Sequence, residues 1–110
     1  MPTSERDDLP LFTGRVSIRT AADEGQFRVA YVSFFDGVRN KFHTHSTDQV
    51  LIVTQGKGLV VTEDEQVELE QGDVVIAPAG EKHWHGAAPG SNMTHITITG
   101  SDGKTEQLEH

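Results

Sequence analysis

Apolar and polar positions along the chain change over in short runs bounded by turn residues. Phe27 to Phe35 is rich in Phe, Val, Tyr, Ala and Ser and closes at Asp36-Gly37. Asp48 to Gln55 carries Val50-Leu51-Ile52-Val53 and ends at Gly56-Lys57-Gly58, which reads as a turn. Leu59 to Thr62 follows, then a turn at Glu63-Asp64-Glu65 and a run from Val67 to Leu69. Gln71-Gly72-Asp73 leads into Val74 to Ala77, and Pro78-Ala79-Gly80 into His83 to Ala87; Thr94 to Thr99 completes the set. No window holds a 3.6-residue apolar period long enough for a helix. The pattern predicts an all-β sandwich or barrel.

The ends differ from this middle. Residues 1–10 are polar, hold Pro2 and Pro10 and show no period, so they read as a flexible arm. A single domain is expected over 11–100 and a polar tail over 101–110, whose Leu108-Glu109-His110 resembles the start of a vector-encoded histidine tag. His110 is therefore set aside. Phe27 to Phe35 and Val50 to Val53 are apolar on both parities, whereas a strand with one face in water should alternate. An N-terminal strand or a second subunit must then cover the outer face, and a homodimer is the expectation. Phe27, Phe34, Phe35 and Phe42 fit core or subunit contacts.

A length of 110 residues suits one domain with a modest core. The longest apolar runs have four residues, far short of the roughly 20 of a membrane span, and no N-terminal stretch resembles a signal peptide. The cytoplasm is the expected compartment, with no membrane partner. The net charge is −8, and the four lysines and five arginines are scattered, which argues against a nucleic-acid partner. With no cysteine in the chain, a metal would need imidazole, carboxylate, amide or water as ligand.

Five of the six histidines lie between positions 43 and 95, four of them in two His-x-His pairs, His43/His45 and His83/His85. Residues i and i+2 of a strand share a face, so each pair can aim two imidazoles into one space, and Gln49 has the same parity as the first pair. Zinc, manganese, iron and nickel all accept neutral imidazole nitrogen. Surface or hydrogen-bonding histidines are the plainer alternative. His95, Thr97 and Thr99 form an inward polar stripe on one strand, while Trp84 has the parity opposite to its histidine neighbours.

The first histidine stretch reads Gly37-x5-His43-x-His45-x3-Gln49-x6-Gly56 and the second Gly72-x5-Pro78-x-Gly80-x2-His83, with fifteen residues between them. Together they resemble the two motifs of the cupin family, over about residues 27 to 99. The resemblance implies a single-domain jelly-roll (double-stranded β-helix) barrel. Two positions depart from it: Gln49 stands where the first motif usually carries Glu, and Ala87 where the second often carries Asn. A neutral amide leaves a bound metal its full charge, favouring Lewis-acid action over oxidation of the metal.

The segments His43-Thr44-His45, Gln49 to Thr54, Gly80 to Pro89 and Met93-Thr94-His95 are similar to the small manganese cupins that act as hydroxynitrile lyases. That likeness implies one divalent metal, manganese first and iron, zinc or nickel as alternatives, on His43, His45, Gln49 and His83. It implies proton-handling roles for His85 and His95, and a small-molecule substrate pocket at Ala30, Val32, Asn40 and Thr99. Those lyases carry a glutamine where this chain has Thr99, and a threonine where it has Asn40. The expected function is a metal-dependent lyase breaking or forming a C–C bond beside a substrate oxygen. An iron-type dioxygenase, which would consume oxygen, and a non-catalytic binding module, which a ligand would stabilise without turnover, are the alternatives.

Overall fold

The computed structural model describes residues 3–6 and 11–109, the first four through their backbone alone. All regular structure among them is strand: β1 (Thr3–Arg6), β2 (Val16–Glu24), β3 (Phe27–Phe34), β4 (His43–His45), β5 (Gln49–Thr62), β6 (Gln66–Glu70), β7 (Val74–Ala77), β8 (His83–Ala87), β9 (Met93–Gly100) and β10 (Thr105–Gln107). Every pairing is antiparallel, in the order β1-β2-β3-β9-β5-β8-β4-β10, with β6 and β7 also on β5. The sheet curls into the jelly-roll half-barrel expected of the sequence. No helix among the described residues is long and apolar enough to cross a membrane.

The strand β5 corrects one expectation. Gly56-Lys57-Gly58 does not reverse the chain; β5 runs through it for 14 residues. Its first part pairs with β7 and β9 and its second with β6 and β8. A register shift between Val53 and Gln55 and a φ of 82° at Gly56 bend the strand from one half of the barrel to the other. A Cβ at Gly56 would lie 2.0 Å from the Asn92 carbonyl oxygen, so only glycine allows the bend there.

β2 was not among the predicted runs, although Val16, Ile18 and Thr20 alternate with Ser17 and Arg19. The arm is partly structured as well, since Thr3–Arg6 pairs with β2; residues 7–10 lie outside the described chain. The tail is no loose end either. β10 pairs with β4, and Leu108 N–H donates to the Phe42 carbonyl. Glu109 accepts two hydrogen bonds from Arg39, at 3.1 and 2.7 Å, and one from Phe42 N–H. Residues read as tag thus close the barrel rim, while His110 lies outside the described residues.

Side-chain alternation sets up the interior. Val16, Val32, Phe34, Val53, Val60, Leu69, Ala87 and Met93 form a buried apolar plug, each large member stabilising the fold by roughly 1.5–3 kcal/mol. Along the β3–β9 ladder the inward pairs run Phe34↔Met93, Val32↔His95 and Ala30↔Thr97, from the apolar plug toward polar positions. The outward positions Val29, Tyr31, Val50, Ile52, Ile96 and Ile98 are only half-buried, and Val74 and Ile76 on β7 are exposed. Phe34 belongs to the plug, but Phe27 is 59% exposed and has no place in the core.

Candidate metal centre

Three imidazoles meet where β4 and β8 lie side by side. His43 on β4 and His83 on β8 are opposite partners in the ladder, and His45 lies two residues along β4 on the same face. The ring nitrogens of the three approach within 4.8 Å of one another. Gln49 reaches the same place from the start of β5, across the break at 46–48, so its position does not follow from strand parity with His45.

The hydrogen bonds fix which nitrogen faces inward. His43 Nδ1 donates to the Lys41 carbonyl and His83 Nδ1 to the Glu81 carbonyl at 3.1 Å, because a carbonyl can only accept. Both rings therefore present an unprotonated Nε2. His83 Nε2 lies 3.2 Å from Gln49 Oε1, and the Gln49 amide is oriented by Nε2 donating to Thr97 Oγ1 at 2.8 Å. Two lone pairs thus face each other across 3.2 Å, a repulsion that a cation shared by both would relieve. His43 Nε2 and His45 Nε2 are 3.1 Å apart, and His45 Nδ1 sits 3.0 Å from Thr105 Oγ1. Two nitrogens at right angles, each about 2.1 Å from one ion, would lie about 3 Å apart. The donor set fits a divalent metal.

Burial keeps these rings neutral, as ligation requires. Desolvation lowers the His43 and His45 pKa values to about 4, helped by the neighbouring His83, and lowers that of His83 as well.

Two further histidines lie deeper. His85 is buried among His43, His83, His95 and Phe34, with its ring stacked on His83 at 5.7 Å and edge-on to His95 at 4.9 Å. Both ends of the Asn40 amide are committed to it: Oδ1 accepts from His85 N–H at 2.8 Å and Nδ2 reaches His85 Nε2 at 3.1 Å. A Cβ at Gly86 would lie 2.4 Å from Arg39 Cα, so glycine there lets the Arg39–Asn40 strand come this close. Burial places the His85 pKa well below its usual value and lowers that of His95 to about 4. Neither ring nitrogen of His95 has a hydrogen-bond partner among the described residues, although the residue is 1% exposed. A buried polar group costs about 1–3 kcal/mol when unpaired, and His95 carries that cost between Phe34 and His85.

Of the remaining expected pocket residues, Ala30 and Val32 are buried opposite Thr97 and His95. Thr99 shares their parity, half-buried opposite Arg28 nearer the rim. Trp84 faces away, under the Arg39 guanidinium at 4.5 Å. A surface groove of about 730 Å³, lined by Lys57, Glu68, Glu70 and Asp73 among others, includes none of the histidines. Thr97 and Thr105 carry contacts that the sequence reading left out. The first was legible in the His95-Thr97-Thr99 stripe; the second lies in a tail that gave no signal.

One stability consequence follows from the buried rings. In the unfolded chain these histidines titrate near 6.5; in the folded metal-free protein burial lowers His43, His45 and His95 to about 4 and holds His83 and His85 below their usual value. Between those values the unfolded state binds more protons, so stability rises with pH through the window and levels off above 6.5. One fully buried ring such as His95 accounts for about 3 kcal/mol across it; the rings interact, so their contributions do not simply add. Denaturant melts of metal-free protein should show a loss of at least about 2 kcal/mol from pH 7 to pH 5. A flat profile would mean that the rings are not buried and neutral.

Residues 31–100 match the family model described as Cupin domain. The (R)-mandelonitrile lyase of Granulicella tundricola is 46% identical over 105 residues, covering 90% of this chain and 80% of the lyase. An acireductone dioxygenase of Picosynechococcus is 38% identical over 72 residues, which cover 58% of this chain and only 41% of the dioxygenase. A cupin-like protein from Thermotoga maritima superposes with a TM-score of 0.84 at 36% identity, over 89% of this chain and 79% of that one. The polyketide cyclase RemF from Streptomyces resistomycificus reaches 0.85 at 16% identity, over 98% and 81%, a likeness of fold alone.

Proposed function

The chain belongs to the cupin domain family, and from that premise we propose that it is a metal-dependent lyase of the hydroxynitrile type, acting on a small cyanohydrin in the cytoplasm as a homodimer. The observation that carries this reading is the unpartnered His95 ring, buried against His85, which in turn packs on two of the three convergent imidazoles, His43 and His83. The 46% identity to a mandelonitrile lyase supports the substrate class.

In this reading His43, His45, His83 and Gln49 hold one divalent ion, manganese in the first instance. When bound, that ion supplies Lewis acidity, lowering the pKa of a substrate hydroxyl. His95, neutral and unpartnered, takes the hydroxyl proton. Loss of the proton lets the carbon–nitrile bond break, giving aldehyde and cyanide, and His95 returns the proton to cyanide as HCN leaves. His85 stays neutral, held by Asn40, which is therefore bound to His85 rather than free to contact substrate. Ala30 and Val32 keep the wall beside His95 small, and Thr99 offers a hydroxyl toward the rim. The outward apolar positions of β3, β5, β7 and β9 are the proposed subunit contact.

Oxygen chemistry with iron is the competing reading, motivated by the partial match to acireductone dioxygenases. The neutral Gln49 in the donor set favours non-redox chemistry. Cleavage of racemic mandelonitrile by manganese-loaded protein, followed as benzaldehyde release against a chelator-stripped control, separates the two. Metal-dependent, enantioselective release is expected. No release above the control, with manganese bound, would sink the lyase reading and direct attention to oxygen uptake by the iron-loaded protein.

A further inference from the structure

The three imidazoles are braced unequally. His43 and His83 each donate Nδ1–H to the backbone carbonyl two residues before them, Lys41 and Glu81, so their tautomers are set by their own strands. The Nδ1 of His45 has no such carbonyl partner. Its neighbour is the Thr105 hydroxyl at 3.0 Å, on β10, where Thr105 is the register partner of His45 across the β4–β10 ladder. His45 is also only half-buried, unlike His43.

A neutral His45 has two tautomers of near-equal intrinsic energy, and this site gives each a partner. With the proton on Nδ1, the ring donates to Thr105 and offers a free Nε2 to the centre. With the proton on Nε2, it donates instead to His43 Nε2, 3.1 Å away, occupying two ligand lone pairs at once, while Nδ1 accepts from the Thr105 hydroxyl. The first tautomer opens the metal centre and the second closes it.

We propose that Thr105 is a positioning residue of the metal centre, its hydroxyl holding the His45 ring and accepting from Nδ1–H when Nε2 is turned to metal. The C-terminal segment is thereby part of the site, carried to it by β10 and fastened beyond it by Glu109 on Arg39 and Phe42. Hydroxyl partners of this kind typically change metal affinity by about 10–100-fold. The inference rests on the metal-centre reading above and does not depend on which reaction the centre performs.

The test compares the full chain with Thr105→Val, which keeps shape and strand propensity but cannot accept a hydrogen bond, and Thr105→Ser, which restores the hydroxyl. Mn2+ is titrated in and free ion read by electron paramagnetic resonance. The expected result is about 10-fold or greater weakening in the valine variant and recovery in the serine variant. Equal Mn2+ affinity in parent and valine variant would overturn the proposal while leaving the metal centre standing. So would a serine variant as weak as the valine one. A parent chain that binds no Mn2+ would instead overturn the metal-centre reading itself, and this proposal with it.

Discussion

Replacing His83 with alanine should remove metal and turnover together. His83 is 1% exposed, pairs with His43 across β4 and β8, and sets its Nε2 against Gln49 Oε1. Loss of a partner outside the ligand set already costs about 10–100-fold in affinity, so loss of a ligand should exceed about 100-fold. The variant also has a signature that needs no metal. Truncating a buried ring leaves a cavity, so the metal-free protein should be less stable than the parent at pH 7. It should then lose less further stability toward pH 5, because one desolvated ring no longer takes up a proton only on unfolding. Metal content by mass spectrometry and denaturant melts at the two pH values check both parts. Retained metal with normal turnover would remove His83 from the centre.

A His95→Gln variant should keep its metal and lose turnover by about 10²–10⁴-fold, the usual contribution of a positioned general base. Glutamine nearly preserves the volume between Phe34 and His85 and still offers polar atoms, but it cannot take a proton from substrate. The proposed metal ligands share no hydrogen bond with His95, whose ring has no partner among the described residues. Metal affinity should therefore stay at the parent value, which separates this variant from His83→Ala. Single-turnover measurements on the manganese-loaded proteins check it. Full activity in His95→Gln would remove proton transfer by His95 from the mechanism.

Much of this architecture was legible because glycine spacing and alternation are local signals. Runs such as Val74–Ala77 and His83–Ala87 emerged as strands with the bounds that the pattern predicts. The two His-x-His pairs supplied three convergent rings because β4 and β8 are neighbours, a fact of topology that the cupin resemblance carried and alternation alone did not. Gly56-Lys57-Gly58 misled because a glycine with positive φ serves a bulge as well as a turn, and only the pairing of β5 with β8 and β9 tells them apart. The hydrogen bonds that tie the Asn40 amide to His85, 45 residues away in sequence, gave no such local signal. Thr105 and Glu109 were hidden for the same reason: their partners, His45 and Arg39, lie 60 and 70 positions earlier. Side-chain hydrogen bonds across such separations have no periodicity to read.

The central claim is that His43, His45 and His83 hold one divalent ion, and X-ray absorption of the manganese-loaded protein tests it most directly. The account predicts one manganese per chain, with scattering from three imidazole rings and oxygen donors completing the shell. Manganese that fails to bind, or binds without imidazole in its shell, would contradict it.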